Sequence, residues 1–90
     1  MEHYIITFRY GNYTMAAYSR LQSLRIKNIK LASVPFAIKT ECDLCIVAYD
    51  YGTLLDVLDS SYQYPIDNVY EVSRVNGTYS YRQIQVWLFF

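Results

Sequence analysis

Much of what marks an active site or a metal domain is scarce in this chain. Among 90 residues there are one histidine, two cysteines, three glycines and two prolines. A structural zinc site needs four ligands, and Cys42, Cys45 and His3 fall short of that number. Gly11, Gly52 and Gly77 are single turn residues, too dispersed for a phosphate-cradling loop. Ser, His and Asp are scattered with no strained nucleophile turn, so a hydrolase triad finds no support. No apolar run approaches the roughly 18 residues of a membrane span, and no basic-then-apolar leader opens the chain. These absences predict a cytoplasmic protein with no membrane segment, no metal and no cofactor. Eight basic residues balance eight acidic ones, which argues against nucleic acid as a partner held mainly by charge.

What remains is apolar and aromatic. The composition is 53% hydrophobic with eleven tyrosines, too apolar for disorder, and the length suits one domain over residues 1–90. The charge is uneven along the chain. From Met1 to Lys39 six basic residues accompany one acid, whereas the remainder carries two basic and seven acidic side chains, a split that solvated faces alone can explain.

The β-branched and aromatic run His3–Phe8 predicts a central strand closed by Gly11-Asn12. Tyr13, Ala17, Leu21 and Leu24 then recur at helical spacing, with Asn12 or Thr14 able to cap the start and Arg25 and Lys27 suited to the end. Ile29 to Val34 reads as a second strand that Pro35 terminates, Phe36 to Asp43 as a loop, and Leu44 to Tyr49 as a buried strand. Tyr51 to Tyr62 repeats the helical pattern, with Asp50 or Thr53 as cap. Asn68 to Val75 alternates as a strand, Asn76-Gly77 is a type I′ turn signal, and Thr78 to Phe90 should return antiparallel. The order β-α-β-β-α-β with an additional C-terminal hairpin strand predicts an α+β, ferredoxin-like split βαβ fold. Helices would cover one sheet face, leaving the other open and closed by dimerisation.

Of the two cysteines, Cys45 leads into Ile46-Val47-Ala48 and is expected to pack in the core, whereas Cys42 lies in the loop and is the accessible thiol. A redox dithiol usually sits at a helix amino end, which this strand-bound pair does not. The RNA-recognition variant of the fold requires a glycine and a basic residue on its third strand, and Leu44–Tyr49 has neither. The acylphosphatase variant requires a glycine-rich anion loop that Arg9-Tyr10-Gly11-Asn12 does not supply.

A set of segments gives the chain a family likeness: Tyr4-Ile5-Ile6-Thr7-Phe8, Ala16-Ala17-Tyr18-Ser19-Arg20-Leu21, Leu31-Ala32-Ser33-Val34-Pro35, Glu41-Cys42-Asp43-Leu44 and Val69-Tyr70. Over residues 3–72 it resembles a small bacterial family of selenium/sulfur carrier-like proteins, with the hairpin of 68–90 extending past that core. The most specific element is a proline-ended strand followed seven residues later by cysteine; the family usually has Cys-Gly there, and Asp43 replaces the glycine. The resemblance implies that Cys42 accepts a sulfane sulfur or selenium from a donor protein and yields it to an acceptor protein, as a carrier and not a turnover enzyme. Glu41 and Asp43 would favour the thiol, and Lys39, Arg9 or a helix end the thiolate. The contrasting reading is a non-catalytic structural or regulatory module that dimerises and binds a small ligand on its open face.

The tail Ile84-Gln85-Val86-Trp87-Leu88-Phe89-Phe90 is dense in apolar residues for a chain end and calls for cover. We expect a homodimer whose interface uses Tyr79, Tyr81, Trp87 and Phe89. Light scattering on the full chain should give a dimer at tens of micromolar, and a chain ending at Gln83 a monomer. A monomeric full chain, or no change on truncation, defeats this expectation.

Overall fold

The computed structural model describes residues 3–38, 40 and 42–85. Strand β1 (His3–Phe8) leads into α1 (Gly11–Ser23), then β2 (Ile29–Ser33), β3 (Leu44–Ala48), α2 (Tyr51–Ser60), β4 (Ile66–Val75) and β5 (Thr78–Ile84). The result is an α+β structure with one five-stranded sheet, in the order β2-β3-β1-β4-β5 with every neighbour antiparallel. β1 therefore has hydrogen-bonded partners on both edges. Each helix bridges two strands that leave one sheet position between them, and β5 adds an outer edge beyond that frame.

Side chains alternate between faces along a strand, and the sequence supplies apolar groups for both. Tyr4, Ile6 and Phe8 of β1 face the helices with Ile46, Ala48 and Val69, where they pack on Ala17 and Leu21 of α1 and on Leu54, Val57 and Leu58 of α2. Ile5, Cys45, Val47 and Val72 point the other way and pack with Ile38. The second face is thus not bare as the sequence suggested. The segment after β2 folds back over part of it, because Ile38 buries its own apolar surface there, with 6% left exposed.

The helix ends follow local chemistry, with one surprise. Asp50 caps α2: its Oδ1 accepts from the Thr53 N–H at 2.7 Å. The expected Asn12 or Thr14 cap on α1 is absent, since the helix begins earlier, with Tyr10 as its N-cap and no side-chain cap bond. Thr14 is instead buried within the first turn, its Oγ1 without a hydrogen-bond partner. At the other end Leu24 is the C-cap, Arg25 adopts φ 60°, and the Arg25 and Ile26 N–H groups donate to the Gln22 and Leu21 carbonyls. The helix therefore ends at Ser23, before both Arg25 and Lys27, the basic residues expected near its end. Arg20 is the basic residue there, and its Nε–H donates to the Ser60 carbonyl at 3.0 Å, tying α1 to the end of α2.

Asn76 and Gly77 both carry positive φ, 52° and 79°, which gives the β4–β5 hairpin the backbone that an Asn-Gly turn favours. Glu71 and Arg82, directly opposite in that hairpin, form an ion pair at 2.6 Å.

The backbone hydrogen bond from Thr53 is the main cause holding the Asp50 carboxyl below its ordinary pKa, aided by the Thr53 hydroxyl. A group whose pKa is depressed on folding stabilises the protein above its unfolded pKa, and that stabilisation is lost as pH falls through the folded value. Asp50→Ala should therefore lower Tm at pH 7. The gap from wild type should narrow as the pH is taken below about 4, which thermal melts across pH will show.

Candidate functional site

The site is built where β1 ends and β3 begins. Between Thr7 and Phe8 the β1–β4 register shifts, so that Thr7 pairs with Asn68 but Phe8 with Ile66. Thr7 Oγ1 both donates to the Asn68 carbonyl and accepts from its N–H, fixing the irregularity. On the β3 side the Val34 N–H donates to the Asp43 carbonyl at 2.9 Å and closes the stretch that leads into β3.

Cys42 lies between these two fixed points. Its N–H donates to Thr40 Oγ1 at 3.3 Å, and its thiol donates to the Phe8 carbonyl at 2.9 Å. Only 7% of the residue is exposed. Here the structure departs from the expectation of an accessible loop thiol, because the end of β1 offers a buried acceptor that the loop folds in to meet. In this contact the thiol is the donor and the carbonyl the acceptor.

The residue nevertheless lines an opening. A hollow of about 510 Å³ is lined by Cys42, Val34, Pro35, Phe36, Ile38 and Thr40, among others, with Asp43 at its edge. Phe36 stands fully out in solvent at 106% of its reference surface. Thr40 also lines a neighbouring hollow of about 350 Å³ with Arg9, Tyr10 and Asp67, at the amino end of α1 that no side chain caps. Asp43 is not among the described residues with positive φ, so its backbone does not demand the glycine usual in the resembling family.

Cys45 is in a different setting. It is fully buried beside Ile5, Val47 and Val72, and its Sγ lies 3.8 Å from the Ser33 carbonyl. Burial pushes its pKa up to about 11, so it is a thiol at neutral pH. Neither cysteine is in a disulfide.

Of the other side chains expected near the thiol, Lys39 and Glu41 lie outside the described residues. Tyr79 and Tyr81 sit on the sheet face away from the helices, Tyr79 half-exposed and Tyr81 packed against the second core cluster. Trp87 and Phe89 again lie outside the described residues. Among the described residues no three His, Cys, Asp or Glu are grouped as metal ligands, and no helix is long and apolar enough to cross a membrane. Three groups at the site escaped the sequence reading: the Phe8 carbonyl, Thr40 and Phe36. Only Phe36 left a signal, as an aromatic residue directly after a strand-ending proline in a loop.

The family model described as "Putative Se/S carrier protein-like" matches residues 3–71 of the chain, which takes in both helices, β1 to β3 and Cys42. No curated protein and no solved structure matches.

The geometry predicts slow, ranked thiol reactivity. Native alkylation followed by peptide mass mapping should label Cys42 before Cys45, and both far more slowly than in urea. Cys45→Ser should cost about 1 to 3 kcal/mol, since it buries a hydroxyl in an apolar cluster; equal labelling rates or an unchanged Tm would contradict this placement.

Proposed function

The chain belongs to the Se/S carrier-like family, and from that premise we propose that it is a carrier that accepts a sulfane sulfur or selenium atom on Cys42 and hands it to an acceptor protein. The observation that carries this reading is the position of Cys42, inside the matched segment and among the residues that line the hollow beside Phe36. The transfer needs no outside oxidant or reductant. Cys42 first gives up to solvent the proton it directs at the Phe8 carbonyl. The thiolate so formed attacks the outer sulfur of a donor persulfide, an S–S bond forms on Cys42 as the donor's S–S bond breaks, and the donor leaves as thiolate. An acceptor thiolate then attacks the outer sulfur and returns Cys42 to a thiolate.

Each neighbour has a role in this reading. The Phe8 carbonyl accepts from the empty thiol and shields it from adventitious oxidation. The hollow accommodates the carried atom. Arg9 and the uncapped amino end of α1, which meet the site at Thr40, supply positive potential for an anionic outer sulfur. Phe36 offers a partner protein an aromatic anchor beside the reacting atom. Donor and acceptor are proteins, the thiols point to a reducing cytoplasmic setting, and the whole of residues 1–90 acts as one domain, which we take as ferredoxin-like with β5 added.

One observation favours the contrasting structural or regulatory module, namely the burial of Cys42 itself. Intact mass after incubation with a cysteine desulfurase and cysteine separates the two. A carrier gains about 32 Da as a persulfide, lost in Cys42→Ser and kept in Cys45→Ser; the absence of any adduct leaves the module as the reading.

A further inference from the structure

At the opposite end of β1 from Cys42, on the sheet face away from the helices, lies another cavity, of about 410 Å³. Every strand contributes to it: Lys30 from β2, Val47 from β3, His3 from β1, Arg74 from β4 and Tyr79 from β5, with Tyr49 just past β3. Its size falls within the range of small-molecule sites. Its floor is apolar, made by Ala32 and Val47.

Three rings form its walls. His3 lies 6.0 Å from Tyr49, tilted by 43°, and 6.4 Å from Tyr79 in an edge-on arrangement. Tyr49 and Tyr79 remain 43% and 53% exposed, which leaves open to solvent the ring surface that His3 and Arg74 do not cover. The Arg74 guanidinium lies 5.7 Å from the Tyr79 ring centre, and Lys30 stands on the other flank of the cavity.

The charge lining this cavity is of one sign. No carboxylate is among its described lining residues, whereas Asp67 acts on Tyr70 further along the sheet. The ion pair of Glu71 with Arg82 belongs to the helix face, opposite Tyr4. Burial, and then the positive chain terminus, hold the His3 pKa below its ordinary value, so at neutral pH the imidazole serves as a ring and not as a third cation.

An inorganic anion would leave the rings and the apolar floor without a partner, and a neutral ring would leave two cations unmatched. The occupant that answers both halves joins a planar ring system to a phosphate. We propose that this cavity binds a nucleotide, with the base against the exposed rings of Tyr49 and Tyr79 and the phosphate drawn to the cationic flanks at Lys30 and Arg74. The inference does not depend on sulfur or selenium transfer at Cys42.

Calorimetric titration of the full chain tests it, with AMP, adenosine, inorganic phosphate and a short single-stranded oligoadenylate as probes. AMP should bind one per chain, with adenosine and phosphate each at least about tenfold weaker. Tyr49→Ala and Tyr79→Ala should each weaken AMP by about tenfold, while Tyr79→Phe keeps it. Lys30→Ala and Arg74→Ala should each cost about threefold to fivefold and flatten the salt dependence. These side chains are exposed, so unchanged circular dichroism and Tm will certify the variants as folded. A free nucleotide is the source if the oligoadenylate binds no tighter than AMP, and a single strand if it binds tighter with a steeper salt slope. The proposal is overturned if AMP binds no better than phosphate, or if the folded alanine variants bind like wild type. It is equally overturned if Tyr79→Ala converts a dimer into a monomer, since the face would then be an interface between copies.

Discussion

Strand β1 is hydrogen-bonded along both edges, and that constraint organises the molecule. Along His3–Phe8 two sets of apolar side chains alternate between both faces of the sheet, so each face needs its own cover. The even set is met by two helices, whose crossovers are long enough to skip a strand. Among the described residues the odd set is met by the loop after β2, which turns Ile38 inward over Ile5, Val47 and Cys45, together with Val72, Tyr70 and Tyr81. Burying that loop brings the carbonyl at the end of β1 within reach of Cys42. The position of the thiol is therefore a by-product of covering the second face of the central strand.

The same constraint leaves the face unevenly covered. The loop shelters the half nearest β3's start, and the half around His3 keeps only tyrosine rings and cationic stems above Val47 and Ala32. The five residue steps of β1 separate the two ends by about 17 Å. Chemistry on a thiol and recognition of a planar anion can thus occupy one sheet without competing for the same surface.

Elements governed by local chemistry were legible in the residues. The bounds of β1, the Asp50 cap and the Asn76-Gly77 turn all follow from period, side-chain acceptors and permitted φ within a few positions. The start of α1 was not, because Tyr10 carries no capping group and the helix is held by packing of Ala17 and Leu21 instead. The thiol's setting was legible as to residue but not as to exposure. Whether Cys42 meets water or a carbonyl is decided by a register shift in β4 and by the fold of the loop, and neither leaves a mark near Cys42. The cationic cavity was equally hidden, since its residues come from five strands that only the tertiary pairing assembles.

The hydrogen bond from Cys42 to Phe8 has one more consequence. Anything bonded to Sγ displaces the hydrogen that the Phe8 carbonyl accepts, and a buried acceptor left without that donor is worth about 1 to 3 kcal/mol of destabilisation. A covalent change at one sulfur atom is thereby coupled to the hold of this loop on the end of the central strand.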